Sequence, residues 1–531
     1  YGFAAKWQPT DNFDIKLHYE KTKDESDQGA YVNRNVQTDG TCAFPFFNSC
    51  GTNTTDNEDQ NSSNTRNFSD NEYDTTILTA NYDFGNMVLT YIGAKRDMDE
   101  QNMQAFDASP VDFLDMNYFN LWDQESHELR LTTNFDGPFN MVAGLYSFEV
   151  DYEQFWDVAH LHWTYHLITG GFFFPDNNTP TSVRSQGQRQ QTDSSAAFVS
   201  ADWALNDRWT LTVGGRYTKE EKDFEGDNGS IAWDPAAGDS RPTGHATWSK
   251  KAEWSEFTPS ASLRFNMTDN TMLWASYAEG FKSGGFFGRQ ANFNNIDVTF
   301  EPESVQNFEL GFKSTLLDGA MTLNAAYFSN DYEDKQESVL VPRGVADVAT
   351  IVRNAATEEI SGVEVDLSWQ ITANWFLRAN YGYLDAKYKD FIADIDGGSI
   401  IEPTDNSGLR PRNTPEHSFG VQTTYTLPIG SGNLQGVLAY RYRDEIEVDL
   451  VSQLPVPAYP AHSGGIGHMD SIHDISAQIS YLFSDDRYRV TVYGKNLTDE
   501  RELLQQTIGT IATRGYWNDP RTIGVEFAVS F

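Results

Sequence analysis

Residues 521–531 read RTIGVEFAVSF, and this stretch decides the fold. The apolar residues Ile523, Val525, Phe527, Val529 and Phe531 alternate with small or polar ones. Because successive side chains of a β-strand point to opposite faces, the pattern predicts a strand with one apolar and one polar face. About ten residues of such alternation is the length of one bilayer crossing by a tilted strand. An edge strand of a soluble sandwich would alternate in the same way, so this segment alone leaves both interpretations open.

The same alternation recurs along the chain. Four further segments show it, namely residues 209–218, 261–267, 308–313 and 321–327. The faces opposite the apolar ones carry Arg216, Arg264 and Lys313. Charged side chains inside a sandwich core are costly, whereas in a water-filled lumen they are ordinary. We therefore predict an all-β protein, a transmembrane antiparallel β-barrel.

Composition agrees with a membrane barrel. Aromatic residues make up 14% of the 531 residues, yet the mean hydropathy is only −0.55. No run of eighteen apolar residues exists, so a spanning helix is excluded. A barrel combines a polar lumen and polar loops with aromatic girdles at both membrane interfaces.

The net charge of −39 excludes one class of partner. A nucleic-acid-binding surface has to be basic, because it meets phosphates. The charge suits a cell-surface protein in salt, where exposed like charges are screened over about 10 Å. We expect no nucleic-acid partner, and we do not infer cation binding from the charge.

Short turns alternate with long polar excursions along the chain. The excursions are residues 23–72, 98–123, 152–190, 223–254, 283–301, 389–413 and 449–468. Short turns on one side and long loops on the other are typical of an outer-membrane barrel. The last strand descends from a long loop, so the C-terminus is expected on the periplasmic side.

The strand count predicts missing sequence. About nineteen segments are long enough to cross a membrane, whereas bacterial single-chain barrels have even numbers of strands. Three further strands before Tyr1 would give 22, the size of the plugged transporters. The chain has no signal peptide and begins in a strand-like segment, so we expect it to be processed or truncated at its start.

Cys42 and Cys50 are the only cysteines. Their spacing matches no zinc pattern, and they lie in a polar segment. A loop-closing disulfide in an oxidising compartment is therefore predicted.

The second half of the chain resembles the TonB-dependent outer-membrane receptors. Six segments carry the resemblance: Tyr277-Ala278-Glu279-Gly280-Phe281-Lys282-Ser283-Gly284-Gly285-Phe286, the hairpin of residues 302–336, Ile360-Ser361-Gly362-Val363-Glu364, Pro415-Glu416-His417-Ser418-Phe419, Gly494-Lys495-Asn496-Leu497-Thr498-Asp499-Glu500, and Pro520-Arg521-Thr522 with the closing strand. Each motif alone is weak, but their order and spacing across residues 255–531 are specific. The first 250 residues match only in strand rhythm.

The resemblance implies a 22-stranded barrel filled by an N-terminal plug that binds TonB. Residues 1–531 would be the barrel domain, without the plug and without about three first strands. Typical ligands of the family are iron–siderophore complexes, with haem, cobalamin, nickel chelates and oligosaccharides as variants. Neither plug nor TonB box is present in these residues, so this chain is not expected to gate transport by itself.

Aromatic and histidine residues of one long excursion are candidate ligand contacts. His160, His162 and His166 lie near Trp163, and Phe172, Phe173 and Phe174 follow. Imidazoles can ligate a haem iron or a transition metal, and the phenylalanines can stack on an aromatic siderophore or a sugar. The alternative is that both groups belong to an ordinary aromatic outer loop, which we favour for the histidines.

Two other groups are weaker candidates. His462, His468 and His473 fit no metal motif. Asp394, Asp396, Glu402 and Asp405 could hold a calcium ion through oxygen ligands, but acidic residues are so abundant in this chain that we favour a chance cluster. We predict no metal site and no cofactor. Glycines 214, 215, 280, 284 and 285 lack the strand–loop–helix setting of a phosphate loop, so they indicate bends or close approaches.

The inward basic residues have two interpretations within the resemblance. Arg216, Arg264 and Lys313 would pair with carboxylates of the plug or of neighbouring strands. Alternatively, some of them attract an anionic ferric chelate.

Together these observations predict an outer-membrane receptor, not an enzyme, that captures a scarce ligand for TonB-energised uptake. An iron–siderophore complex is the expected ligand by family frequency. Phe527, Val529 and Phe531 are interpreted as the C-terminal signal for the barrel-assembly machinery. Outer-membrane lipid and lipopolysaccharide are expected partners. A passive pore, an outer-membrane enzyme and a surface-binding adhesin or phage receptor are the alternatives.

Overall fold

A computed structural model describes most of the chain. The described residues are 1–27, 32–33, 67–105, 115–159, 182–228, 246–288, 299–344, 347–395, 403–450, 453–454, 467–483, 487–501, 503–507 and 514–530.

The described residues form nineteen strands of eight residues or more. They are β1 (Gly2–Thr10), β2 (Phe13–Asp27), β3 (Phe68–Asp83), β4 (Met87–Ala105), β5 (Asp115–Thr133), β6 (Phe139–Ala159), β7 (Ser182–Ala204), β8 (Trp209–Asn228), β9 (Ala246–Thr268), β10 (Thr271–Lys282), β11 (Glu303–Leu316), β12 (Met321–Gly344), β13 (Asp347–Thr372), β14 (Trp375–Ala393), β15 (His417–Ile429), β16 (Gly432–Arg443), β17 (Ile472–Leu482), β18 (Tyr488–Lys495) and β19 (Thr522–Val529). The predicted number of about nineteen crossings is confirmed.

Each long strand pairs antiparallel with its sequence neighbours in one sheet. Among the described residues, β1 pairs only with β2 and β19 only with β18. Tight turns close the hairpins at one end of the sheet, which we call the short-turn end. At one of these turns Ile429 pairs with Gly432 and Pro428 pairs with Asn433. The connections at the other end, the long-loop end, are longer. The predicted asymmetry of turns and loops is therefore confirmed.

One face of the sheet is apolar and exposed. Val213 in the middle of β8 is 50% exposed and Val525 in β19 is 72% exposed. Apolar side chains turn away from the protein only where lipid replaces water, so this face is the outer, lipid-facing one. No helix among the described residues is long and apolar enough to span a membrane.

Tyrosine–histidine pairs lie on the outer face toward the long-loop end. The Tyr91 hydroxyl lies 2.8 Å from His127 Nδ1, and the Tyr440 hydroxyl lies 2.8 Å from His473 Nδ1. In both pairs the two rings are also stacked. Amphipathic rings of this kind are typical of the membrane–water boundary, so the pairs mark where the lipid-facing part of the sheet ends.

The strands continue beyond that boundary, which corrects the predicted excursions. Residues 98–123 were expected to form a loop, yet most of them extend β4 and β5 as a paired hairpin. Outward ion pairs hold these extensions together, for example Arg189 with Glu153 at 2.9 Å. In water both faces of a hairpin can be polar, so the apolar alternation that indicates strands is lost there.

A charge on the lipid-facing side of β8 tests the assignment of the faces. We expect Val213→Arg to destabilise the protein by about 2–4 kcal/mol, because it places a cation near the middle of the bilayer. The measurement is urea unfolding of the chain refolded into phospholipid vesicles.

Thr212→Arg is the matched control. The Thr212 hydroxyl donates to Asp202 Oδ1 at 2.6 Å on the inner face, so an arginine there meets a carboxylate and water. Equal destabilisation by both substitutions would contradict the assignment.

Candidate ligand-binding site

The inner face carries Arg216 at the level where the outer face is apolar. Its guanidinium lies 5.4 Å from the centroid of the Tyr146 ring and 5.8 Å from that of Phe198. Its Nε donates to Thr218 Oγ1 at 3.1 Å. Strand alternation places these side chains together, since β6, β7 and β8 are neighbours in register. The aromatic faces stabilise the cation without neutralising it.

Lys313 and Arg264 occupy the same face on β11 and β9. The Lys313 ammonium lies 5.4 Å from the Trp274 ring centroid, and Trp274 Nε1 donates to Glu309 at 2.6 Å. Arg264 donates to Thr210 Oγ1 at 3.1 Å. All three basic residues thus contact side chains of neighbouring strands, through aromatic rings for Arg216 and Lys313 and through a hydrogen bond for Arg264.

The predicted carboxylate partners of these cations are not found in neighbouring strands. Within the ranges that the structure describes, Arg216, Arg264 and Lys313 have no carboxylate oxygen within 4.0 Å. Their charges therefore remain available to a group inside the lumen. Pairing with a plug and attraction of an anionic chelate both stay predictions.

Residues 283–288, SGGFFG, run inward after β10, and we call them the inner strap. A Cβ atom at Gly284 would lie 2.5 Å from the Trp254 ring and 2.6 Å from the Phe300 carbonyl oxygen. A Cβ atom at Gly288 would collide with the Gln188 side-chain amide. Only glycine permits these approaches, which confirms the close-approach interpretation for Gly284.

The two phenylalanines of the inner strap enter different apolar clusters. Phe286 is buried with Phe224 and Trp254 of β8 and β9. Phe287 packs against the cluster around Tyr388 and Phe391 of β14. Fully burying one such side chain stabilises a fold by about 1.5–3 kcal/mol. Because the two residues are adjacent, the inner strap joins two separated parts of the sheet.

Hydrogen bonds fix the inner strap at its start, at Ser283 and Gly284. Lys222 Nζ donates to the Gly284 carbonyl oxygen at 2.7 Å. Gln336 Nε2 donates to the carbonyl oxygens of Ser283 and Glu301, each at 3.0 Å. These side chains satisfy backbone groups that no strand neighbour reaches.

A buried charge cluster lies beside the second apolar cluster. Glu337 and Glu358 are only 3% and 1% exposed. Lys335 contacts both carboxylates, Arg412 contacts Glu337, and the Tyr388 hydroxyl donates to Glu337 at 2.9 Å. Because each buried carboxylate has a cationic partner, its desolvation is offset.

Burial changes the proton affinities within this cluster. It lowers the pKa of Lys335, although the neighbouring Glu337 opposes the shift. Burial also raises the pKa of Tyr388 well above its ordinary value, so this phenol stays a hydrogen-bond donor. Losing one partner of a buried ion pair typically costs about 3–5 kcal/mol. Arg412 therefore anchors the connection between β14 and β15 firmly to the sheet.

The same connection contacts the one between β16 and β17. Gln453 accepts from the Arg410 backbone N–H at 2.9 Å and donates to the Arg410 carbonyl oxygen at 3.0 Å. Leu450 packs with Phe391 and Ile395, which are 4%, 0% and 2% exposed. The inner strap and these two connections form one packed block at the long-loop end.

Several predicted site residues lie outside the described residues. They are Cys42, Cys50, His160, His162, Trp163, His166, Phe172, Phe173, Phe174, Asp396, Glu402, His462 and Phe531. Their roles stay predictions. Phe527 and Val529 lie in β19, where Phe527 is 63% exposed on the outer face and its ring stacks on Tyr488.

The remaining weak candidates have structural surroundings. His468 Nδ1 lies 2.9 Å from Glu447. Hydrogen bonds from the Ser407 hydroxyl and from the Ser407 backbone N–H, the latter at 3.0 Å, lower the pKa of Asp405. Across the described residues, no group of three or more histidine, cysteine or acidic side chains could hold a metal ion.

Neither the packing of the inner strap against the sheet nor the buried charge cluster was predicted from the sequence. The glycine-rich, aromatic SGGFFG stretch carried a signal for the strap, because glycines beside large rings often mark close packing. Nothing in the sequence pairs Glu337 with Arg412, since 75 residues separate them.

Comparison with known proteins identifies the class of this structure. The chain matches the family described as TonB dependent receptor-like, beta-barrel over residues 6–497. The sheet is thus an outer-membrane β-barrel of the receptor type. The chain belongs to the TonB-dependent receptor family, whose members are outer-membrane transport receptors.

Two curated relatives are siderophore receptors. The probable TonB-dependent siderophore receptor PiuA of Acinetobacter baumannii is 23% identical over 319 residues, which are 58% of this chain and 39% of that protein. The ferric-pyoverdine 358 receptor of Pseudomonas putida is 24% identical over 315 residues, 57% of this chain and 34% of that protein. The chain matches well under half the length of these relatives.

Solved structures share the fold. The ferric yersiniabactin uptake receptor FyuA of Yersinia pestis superposes with a TM-score of 0.74 at 17% identity, covering 100% of this chain and 70% of that one. The siderophore receptor PiuA of Acinetobacter baumannii gives 0.69 at 17% identity, covering 99% and 73%. At these identities the likeness shows the barrel fold.

Gly284→Ala tests the packing of the inner strap. The added methyl group meets the Trp254 ring and a backbone oxygen, so we expect a local cost of about 1–3 kcal/mol. The measurement is hydrogen exchange of the peptide that contains residues 283–288, which should exchange several-fold faster in the variant.

Gly408→Ala is the control, because a Cβ atom there meets nothing within 4 Å. Unchanged exchange in Gly284→Ala would contradict the described path of the strap.

Proposed function

We propose that the full-length protein captures a ferric siderophore at the cell surface and delivers it to the periplasm with energy transmitted by TonB. Family membership carries this proposal. The names of PiuA and of the ferric-pyoverdine receptor, both siderophore receptors, support the ligand class. The alternation of lipid-facing and lumen-facing residues supports a wide water-filled lumen through which a chelate can pass.

We further propose that residues 1–531 are the barrel portion of a longer protein. Nineteen strands would close with β1 and β19 parallel, whereas even counts are usual. Three further strands would restore 22, and a plug would fill a lumen of that size. In this proposal the plug binds TonB and supplies carboxylates to Arg216, Arg264 and Lys313.

The packed block at the long-loop end has a defined task in this mechanism. It holds the connections after β10, β14 and β16 against the inner face, so that the ligand meets a pre-organised mouth. Pre-organised contacts raise affinity because less conformational entropy is lost on binding. His160, His162, His166, Trp163 and Phe172–Phe174 are proposed as additional ligand contacts from another loop.

Further proposals concern assembly and the surroundings. Phe527, Val529 and Phe531 are proposed as the signal for the barrel-assembly machinery, and Cys42 and Cys50 as a disulfide. The outer face is proposed to contact lipid and lipopolysaccharide. The protein is proposed to catalyse no reaction. A passive pore or a surface-binding barrel would need no TonB, which makes energy dependence the discriminating property.

Uptake of iron-55 by whole cells tests the proposal. The full-length gene is expressed in a Gram-negative host that lacks its own ferric-chelate receptors, and a panel of ferric siderophores is supplied. We expect uptake from at least one chelate, and loss of that uptake when TonB is deleted or the proton-motive force is collapsed.

The empty host and a host producing the protein without TonB are the controls. Uptake that persists without TonB would favour the passive pore, and binding without any uptake would favour the surface-binding barrel.

A further inference from the structure

A row of polar side chains crosses the inner face near the long-loop end. Five residues directly opposite each other in the strand register form it, one on each of β3 to β7. They are Asn71, Glu100, Asn120, Gln154 and Gln188. Neighbouring strands lie roughly 4.8 Å apart, so the row spans about 19 Å. We call it the amide row.

Hydrogen bonds connect the amide row from strand to strand. Asn120 Nδ2 donates to Glu100 at 3.1 Å, and Gln154 Nε2 donates to Asn120 Oδ1 at 2.8 Å. Gln188 Nε2 donates to Gln154 Oε1 at 3.0 Å. Each amide nitrogen has two protons and donates only one of them to the residues that the structure describes, so three donors remain along the row.

Both ends of the row have unmet hydrogen-bonding capacity. Asn71 is only 9% exposed, and its Oδ1 has no donor within the part of the chain that the structure describes. Beyond Gln188 the register continues through Gly226 to Trp248, whose buried Nε1 has no acceptor there either. Buried polar groups are normally satisfied, so these two atoms point to a missing partner.

Glu100 is the only charged residue of the amide row, and both of its carboxylate oxygens accept hydrogen bonds. The Tyr73 hydroxyl donates to Glu100 Oε1 at 2.7 Å while Asn120 holds Oε2. The bond to Glu100 raises the pKa of Tyr73 to about 12, so the phenol remains a donor at any physiological pH. An aromatic wall adjoins the row, where Trp122 and Tyr152 lie 4.7 Å apart between ring centroids.

This chemistry differs from that of a site for a polyanion. Among the side chains that the structure describes on these strands, the inward cation nearest the row is Arg96, which lies toward the short-turn end and donates to Thr75 at 3.3 Å. The net charge of −39 also opposes the approach of an anion. The spare amide donors and the unmet acceptor instead suit a ligand that carries alternating N–H and C=O or O–H groups.

We propose that the amide row and its aromatic wall bind an uncharged, amide- and hydroxyl-bearing ligand, specifically a hydroxamate-type ferric chelate in preference to a tris-catecholate. The inference rests on the proposed function and names the chemical class of its ligand. The ligand would supply a donor to Asn71 and acceptors to the spare protons of Asn120, Gln154 and Gln188.

The test uses the purified full-length protein and quenching of its tryptophan fluorescence. Three probes are titrated: ferrichrome, which is a neutral ferric trihydroxamate, ferric enterobactin, which is an anionic tris-catecholate, and the sugar maltohexaose. We expect the trihydroxamate to bind most tightly. Asn120→Leu and Gln154→Met should each weaken its binding roughly 5- to 20-fold, because one or two hydrogen bonds to the ligand are lost.

Gln124→Leu is the matched control. Gln124 lies on the same strand and inner face as Asn120 but outside the row. The Gln124→Leu variant should therefore bind the trihydroxamate with an affinity within about twofold of the wild type. Heat-dependent electrophoretic mobility verifies that every variant is a folded barrel, and Gln154→Met keeps the side-chain length if Asn120→Leu fails to fold.

The outcomes separate this inference from the proposed function. Tight binding of the tris-catecholate alone, or trihydroxamate binding that neither variant changes, would overturn the inference and leave ferric-chelate uptake intact. Binding of maltohexaose without any ferric chelate would overturn both.

Discussion

Every backbone N–H and C=O group that enters the bilayer must find its partner within the protein, because lipid offers none. This constraint requires the long antiparallel ladders from β1 to β19. The alternation of apolar and polar side chains and the tight turns set their register. Register in turn sets the faces, since a slip of one residue would move Val213 inward and Arg216 outward. The lipid-facing surface and the lumen are therefore two consequences of one pairing pattern.

The binding architecture uses the same ladders above the membrane. There the hairpins carry polar residues on both faces, and the inner face gains the inner strap, the charge cluster and the amide row. The strap has room only because Gly284 and Gly288 lack side chains. Arg412 and Glu337 then fix a neighbouring connection to the sheet. A barrel wall made rigid by hydrogen bonds thus gives these connections a fixed support.

Local patterns predicted the strands that lie in lipid, because each such strand has an apolar residue at every second position of one short segment, as at Phe308, Leu310 and Phe312. The inward direction of Arg216, Arg264 and Lys313 followed for the same reason. Residues 98–123 were mispredicted as a loop because a hairpin in water needs no apolar face. The charge cluster and the amide row depend on which residues pair across strands that are far apart in the sequence. No single segment of sequence shows this pairing. The roles of His160, His162 and His166 stay predictions.

The assignment of lumen and lipid faces supports every other conclusion, and a cysteine scan of β11 tests it directly. Residues 307–310, 312 and 313 are replaced singly by cysteine in the protein embedded in an outer membrane, and Gly311 is left unchanged because a Cβ atom there would collide with the Trp274 ring. Residues 307, 309 and 313 should react with a water-soluble maleimide. Residues 308, 310 and 312 should resist it, and a fluorophore attached there should be quenched by a lipid-bound spin label. Equal reactivity at all six positions, or the opposite alternation, would contradict the account.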